Sequence, residues 1–234
     1  MNLPKKITPC PIVDSVVEIR FSSKVPASAV FGMVYNVLKK DYPTFENLPI
    51  LQIPEPIRLS DPNFKYKPLY KLSNRETIIQ LGNDVISISQ SPIYQGWEKY
   101  STEIFKVFKT INDLGIIEDV IRLGIRYSNF FRLDIFDYIN LNINLNNEEF
   151  KLKNTLFRSE FIDGSWVNTL QVTNMANFNN INGSIVDIDT HTESELGKFF
   201  SNMEKLIGEG HESEKNLFFN LLKKDFLKSL NPEY

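Results

Sequence analysis

The stretch IRLGIRYSNFF, residues 121–131, decides the fold, because it reads as one long β-strand with a chemically unusual face. Side chains alternate across a strand, so Arg122, Gly124 and Arg126 share one face while apolar side chains occupy the other. Two guanidinium groups with only a glycine between them call for carboxylates or a bound anion nearby. The flanking segments indicate which sheet this strand joins.

The N-terminal segment PIVDSVVEIRF, residues 11–21, predicts another strand. Its apolar residues alternate with Asp14, Glu18 and Arg20, which fall on the wetter face. From Pro26 the apolar spacing changes to three and four residues, which is typical of an amphipathic helix that ends before Pro43. A strand and then a helix therefore open the chain.

The next segments favour an antiparallel sheet. YKPLYKLSN, RETIIQLGND and VISISQS read as three short strands with turn residues between them. A helix is predicted from Trp97 to Leu114, with Gly115 ending it. Because consecutive short strands with tight turns pair locally, we expect the meander, residues 69–89, and the strand through Arg122 to share one mostly antiparallel sheet.

The second half of the chain is more polar. FDYINLNINLNNEEFKLKN, residues 136–154, predicts an edge strand through Leu141, Ile143 and Leu145 and then a loop. TLFRSEFIDG, WVNTLQVTNMA and GSIVDIDTH predict three further strands. A helix opened by a capping box at Thr192 and Glu195 is expected to be interrupted at Gly208 and Gly210, before a last helix.

Together these patterns predict an α+β fold, a mainly antiparallel sheet covered by about four helices, with room for two related halves. The halves would be an N-terminal α+β half, residues 1–133, and a C-terminal α+β half, residues 134–234. No clean linker separates them. We therefore expect one continuous domain rather than two independent ones.

Composition narrows the class of function. The chain has 234 residues and a formal net charge of −3, which disfavours nucleic acid and anionic lipid as partners. The single cysteine, Cys10, excludes an intramolecular disulfide, and no apolar run approaches the ~20 residues that cross a bilayer. The N-terminus lacks the apolar core of a signal sequence, and no glycine-rich phosphate loop occurs. We expect a cytoplasmic protein with no membrane partner and no cofactor.

Four segments carry a resemblance to a known family. They are PIVDSVVEIRF at 11–21, RLGIRYSN at 122–129, DID at 187–189 and the pattern from His211 to Phe219. Over nearly its whole length the chain resembles an uncharacterised family of proteins of about this length, distributed sporadically among bacteria and archaea. No activity is established for that family. Its patchy distribution implies an accessory or defence-associated role.

Two interpretations of the arginine face are open. The notch at Gly124 could seat a carboxylate or phosphate between Arg122 and Arg126. Alternatively, strand 11–21 lies beside strand 121–131, and Asp14 and Glu18 neutralise the two arginines across the ladder. Because acidic residues occur there at the right period, the sequence favours the ion pairs.

The segment DIDTHTE, residues 187–193, is a second candidate site. Asp187, Asp189 and His191 would share one face of a continuing strand and could begin a metal site. However, the chain has only two histidines, and short polar residues also suit the start of a capped helix. We expect no bound metal, and we expect His211, the other histidine, at a solvated helix start.

These observations favour a non-catalytic protein-binding or accessory module. In it, an edge or groove of a broad antiparallel sheet meets a protein partner or a second copy of the chain. The alternative is an enzyme or small-ligand sensor that binds an anionic group at Arg122 and Arg126. Arginines paired with Asp14 and Glu18 would favour the first, and an open pocket at Arg122 the second.

Overall fold

The computed structural model describes residues 3–90, 93–146, 148–149 and 153–234. Its helices are α1 (Ala27–Leu38), α2 (Glu55–Ser60), α3 (Trp97–Asn112), α4 (Phe199–Leu221) and α5 (Lys224–Ser229). Its strands are β1 (Ile12–Ser23), β2 (Thr44–Asn47), β3 (Tyr70–Ser73), β4 (Thr77–Leu81), β5 (Val85–Gln90), β6 (Ile117–Phe131), β7 (Asn144–Leu145), β8 (Glu148–Glu149), β9 (Leu156–Asp163), β10 (Trp166–Phe178) and β11 (Ile181–Thr192).

Nine of these strands form one open antiparallel sheet, in the order β2-β3-β4-β5-β1-β6-β11-β10-β9. The meander β3-β4-β5 continues into β1, where Val17 lies opposite Ile88 and Ile19 opposite Ile86. The α+β class is therefore confirmed. So is the prediction that the meander and the strand through Arg122 belong to one antiparallel sheet.

The chain divides into two compact units, both discontinuous in sequence. Unit 1 comprises the residues up to Asp14, Arg126–Thr190 and Glu209–Tyr234. Unit 2 comprises Ser15–Ile125 and His191–Gly208. The predicted halves, split between residues 133 and 134, are contiguous segments instead, and that boundary stays a prediction.

Unit 2 buries one face of α1 and α3 together with alternate residues of β1. The apolar period of α1 brings Val30, Val34 and Leu38 to its buried face. On α3 the Tyr100 hydroxyl lies within hydrogen-bond distance of the carbonyl oxygens of Ser15, at 3.1 Å, and Ile88, at 2.6 Å. A buried hydroxyl held in this way ties α3 to β1 and β5.

Unit 1 has a core of its own, built from one face of its strands and from α4 and α5. Alternate residues of β10 and β11 supply the strand side of this core, as period two requires. The buried members are Ile7, Phe131, Ile135, Phe136, Ile139, Leu170, Val172, Val186, Ile188, Phe218, Leu221, Leu222, Phe226 and Leu230.

Helix α4 differs from the prediction at both ends and in the middle. It begins at Phe199 rather than at the predicted capping box, where Glu195 takes a left-handed conformation with φ of 59°. It runs through Gly208 and Gly210 without a break and ends at Leu221. Each glycine costs a helix about 1 kcal/mol. Buried side chains at three- and four-residue spacing on both sides of the glycines offset that cost.

The predicted edge strand through Leu141, Ile143 and Leu145 is also wrong. A 3₁₀ turn, Ile135–Tyr138, occupies the start of this segment, and Ile139 is buried in the core of unit 1. Only β7 follows, two residues long and paired with β8 outside the main sheet. The parts of this prediction at 147 and 150–152 lie outside the described residues. Ile139 and Leu141 both pack against the core of unit 1, so that core, and not pairing in the main sheet, holds this segment.

No helix in the described part of the chain is long and apolar enough to span a bilayer. Helix α4 has sufficient length, 23 residues, but charged residues interrupt its apolar stripe.

Candidate functional site

Arg122 lies on β6 with its guanidinium largely buried. Its side chain is 11% exposed, and its Nη1 lies 3.4 Å from Oε1 of Glu18. Glu18 also accepts a hydrogen bond of 3.0 Å from Nε of Arg20. The guanidinium of Arg20 lies 4.7 Å from the ring centre of Tyr66. Glu18 therefore pairs with two arginines: Arg122, which is buried, and Arg20, which is stacked on an aromatic ring.

Gly124 makes room for the side chain of Arg122. A Cβ built on Gly124 would lie 2.5 Å from Nη1 of Arg122, well inside van der Waals contact. The notch predicted between the two arginines exists, but the guanidinium of Arg122 fills it. Removing the Cβ at this position lets a buried arginine lie flat along its own strand.

Arg126 is held by a different strand. Its Nε donates to Oδ1 of Asp187 at 2.9 Å and its Nη2 donates to Oδ2 at 2.6 Å, the bidentate arrangement that guanidinium and carboxylate favour. The Ser128 hydroxyl also donates to Asp187. The hydrogen bonds to Asp187 raise the pKa of Arg126, and the charges of Asp187, Asp14 and Asp189 act in the same direction. Asp187 is 11% exposed and Arg126 51% exposed.

Glu18 and Asp187, which pair with the two arginines, come from different strands. Glu18 does lie against Arg122. The carboxylate that binds Arg126 through two hydrogen bonds belongs to Asp187, a residue that the sequence suggested as a metal ligand, and the charge of Asp14 also acts on Arg126. The reason is strand order: β6 has β1 on one side and β11 on the other. Local alternation in a sequence carries no information about a second neighbour.

The three metal candidates share one face of β11. Asp187, Asp189 and His191 are alternate residues of β11. Asp187 already receives hydrogen bonds from Arg126 and Ser128. Among the described residues, no three His, Cys, Asp or Glu side chains come together closely enough to hold a metal ion.

A chain of hydrogen bonds in unit 1 links β9, β10 and β11 to α4. The Thr190 hydroxyl donates to Oδ1 of Asn168. The amide of Asn168 donates to Oγ of Ser213 at 3.1 Å, and the Ser213 hydroxyl donates to Oδ2 of Asp163 at 3.0 Å. Each side chain in this hydrogen-bond network therefore has a partner for its polar atoms, as buried polar groups require.

His211 and Glu214 lie on the same buried stretch of α4. Burial lowers the pKa of His211 to about 3 and raises the pKa of Glu214 to about 8. The rings of His211 and Tyr127 lie 5.7 Å apart. The prediction of a solvated helix start for His211 is therefore wrong. The residue lies in the middle of α4 and is buried. The signal that the sequence analysis missed is that His211, Glu214 and Phe218 continue the buried stripe of α4.

Three clefts of unit 2 lie away from Arg122 and Gly124. They run along α3, the turn before α4 and the start of α4, and include Asn112, Phe200, Glu98 and Thr102 among their lining residues. None of the three is lined by Arg122 or Gly124.

The outer side of β9, which we name the β9 edge, is the most apolar exposed strand edge in the described part of the sheet. β9 pairs with β10 continuously, from Leu156 opposite Thr173 to Asp163 opposite Trp166, and no other described strand pairs with it. Leu156, Phe161 and Ile162 are 58%, 43% and 83% exposed. The opposite sheet edge, β2, is only four residues long.

Neither a protein-family model nor a curated protein sequence matches this chain. The predicted membership in a sporadically distributed family stays a prediction.

Proposed function

We propose that this protein is a non-catalytic binding module that contacts a protein partner, or a second copy of itself, through the β9 edge. The observation that carries the proposal is the exposure of Leu156, Phe161 and Ile162 along an eight-residue strand at the end of the sheet. An edge strand offers unpaired N–H and C=O groups for strand addition, and flanking apolar side chains add burial.

The edge protection along β9 is limited to charged side chains, and this supports the proposal. Natural proteins blunt exposed edges with charged side chains, lysine above all, and with proline, a bulge or a very short strand. Residues 156–163, LFRSEFID, contain neither lysine nor proline, and their register with β10 is continuous. On β10, just beyond its pairing with β9, Met175 is 55% exposed. An apolar edge of this kind suits a surface that is covered in use.

The arginine pairs support a non-catalytic role. The guanidinium of Arg122 lies over Gly124 and against Glu18, and Arg126 binds Asp187 through two hydrogen bonds. An anion would have to compete with these carboxylates. The alternative function, an enzyme or sensor that binds an anionic group, is favoured only by the 51% exposure of Arg126.

Affinity purification from cells that naturally make the protein tests the proposal. The test variant is Leu156→Asp/Ile162→Asp, which places charge on the β9 edge. The matched control is Ile57→Asp/Leu59→Asp on α2, whose side chains are 50% and 69% exposed. We expect mass spectrometry to find proteins, including untagged copies of the chain, that co-purify with the wild type and the control and are at least about tenfold depleted from the edge variant. Equal recovery with all three proteins would refute the proposal.

A thermal-shift assay separates the alternative. We expect phosphate and citrate to change the melting temperature of the wild type and of Arg126→Ala equally. If either anion raised the wild-type melting temperature by several degrees and left Arg126→Ala unchanged, an anion site at Arg126 would replace the binding-module proposal.

A further inference from the structure

Residues 156–162, LFRSEFI, form a pattern that is complementary to itself about Ser159. Reading outward from Ser159 in both directions gives opposite charges, Arg158 and Glu160. Next come two phenylalanines, and then Leu156 and Ile162. In an antiparallel pair of identical strands related by a twofold axis at Ser159, each residue therefore faces a chemically matching one.

We propose that the β9 edge pairs with the β9 edge of a second copy of this chain, antiparallel and centred on Ser159. This inference rests on the proposed function, because it names the partner of the same surface. The pairing extends the sheet of one copy into the sheet of the other through an isologous interface.

The backbone of β9 has the correct phase for this pairing. The N–H of Asn174 donates to the carbonyl of Thr155 at 3.3 Å, and β10 follows β9 after the two-residue turn at 164–165. Odd-numbered residues of β9 therefore direct their backbone groups toward β10, and even-numbered residues direct theirs outward. About Ser159, even residues meet even residues, so the two copies form about eight new backbone hydrogen bonds.

The charges select this register. Within one chain, Nη2 of Arg158 donates to Oε1 of Glu160 at 3.1 Å, and the two side chains stay 59% and 55% exposed, so each can exchange this partner for its counterpart on a second copy. With the axis at Ser159, Arg158 of each copy faces Glu160 of the other, which gives two attractive pairs. Moving the axis to residue 158 or 160 sets two arginines or two glutamates directly opposite each other, which is repulsive.

The apolar residues then cover one another on both faces. Leu156 meets Ile162 of the second copy on one face, and both are more than half exposed in the single chain. On the other face Phe157 meets Phe161, which is 43% exposed. The pairing therefore removes from water the side chains that make this edge a liability in an isolated chain.

Charge reversal tests the register. By sedimentation velocity, we expect Arg158→Glu and Glu160→Arg each to weaken dimerisation about tenfold, since each variant sets like charges opposite in both pairs. Mixing the two variants should restore dimers, because every cross-strand pair in the mixed dimer is again attractive. The double variant Arg158→Glu/Glu160→Arg should also dimerise like the wild type.

A cysteine at the axis gives an independent readout. In a Cys10→Ser background, Ser159→Cys places two cysteines in a pair without backbone hydrogen bonds, with Cα atoms about 4.5 Å apart, which suits a disulfide. We expect mild oxidation to yield a covalent dimer. Ile162→Cys is the matched control, because its two copies would lie about 20 Å apart.

Three results would overturn the inference: a chain that stays monomeric at high concentration, a dimer insensitive to both charge reversals, or Ile162→Cys cross-linking as fast as Ser159→Cys. The proposed function fails separately. If the chain is monomeric but Leu156→Asp/Ile162→Asp still loses a co-purifying protein, the binding module stands and the second copy is not its partner.

Discussion

Gly124 and Arg122 form a structural pair on β6, because the missing Cβ of Gly124 leaves the space that the Arg122 guanidinium occupies. Buried arginines need both a carboxylate and space, and here Glu18 supplies the first and Gly124 the second. Arg126 does not depend on space at Gly124, because its carboxylate partner, Asp187, lies on the neighbouring strand β11. Two arginines on one strand face are thus stabilised in two different ways.

The Gly124–Arg122 pair predicts that the effect of Gly124→Ala on folding stability depends on whether Arg122 is present. We expect Gly124→Ala to destabilise the protein by about 1–2 kcal/mol, because the new Cβ displaces the guanidinium of Arg122 from Glu18. In an Arg122→Ala background the same change should be neutral or stabilise by up to about 1 kcal/mol, since it lowers only the entropy of the unfolded chain. Urea unfolding of the four proteins measures both values. An equal effect of Gly124→Ala in both backgrounds would show that the glycine serves another neighbour.

At the scale of elements, α4 shows how packing outweighs local propensity. It crosses Gly208 and Gly210, residues that disfavour helix, while keeping a buried stripe that includes Ile207, His211 and Phe218. In β11, by contrast, Gly183 is required by packing. A Cβ added there would collide with the backbone carbonyl oxygen of Phe131. The same residue type is a cost in the first element and a requirement in the second.

These two glycines predict opposite effects of alanine. We expect Gly208→Ala to stabilise the protein by about 0.5–1 kcal/mol, because no atom beyond its chain neighbours and the backbone of its own helix lies within 4 Å of the new Cβ, and alanine favours helix. Gly183→Ala should destabilise by about 2 kcal/mol or more, since backbone must move. Guanidinium unfolding compares the two. Gly32→Ala in α1, also in open space, is the control, and a loss of stability in Gly208→Ala but not in Gly32→Ala would mean that α4 needs a weak point there.

At the scale of the whole molecule, two buried titratable groups shape the dependence of stability on pH. Glu214 has a folded pKa of about 8, above its unfolded value, so its contribution is present at low pH and is lost as pH rises toward 8. His211 has a folded pKa of about 3, below its unfolded value, so its contribution is lost as pH falls below about 6.5. Asp187 and Lys215 act on Glu214 in opposite directions.

The pH profile of Glu214→Gln checks this account. We expect this variant to be more stable than the wild type by on the order of 2 kcal/mol at pH 8, because the wild type must bury a charge or hold a proton there. The difference should shrink steadily as pH falls and disappear near pH 4.5. Denaturant unfolding at several pH values measures it. A difference independent of pH would show that Glu214 is ionised at a paired site rather than protonated in the core.

The sequence by itself determined the elements whose pattern is local and strong. The alternation of β1 and β6, the three- and four-residue spacing of α1 and α3, and the short strands of the meander all stand in the structure. Strand alternation and helix amphipathicity are recorded residue by residue. The pairing of Arg122 with Glu18 followed from placing β1 beside β6.

Only the tertiary structure decided the rest. Three features depend on which elements become neighbours. Asp187 binds Arg126, α4 continues through two glycines, and β9 rather than the segment through Ile143 lies at the sheet edge. Neighbours distant in sequence are chosen by the burial that the complete fold achieves, against the entropy of closing long loops. A local pattern holds no record of that balance, so strand order had to come from the folded chain.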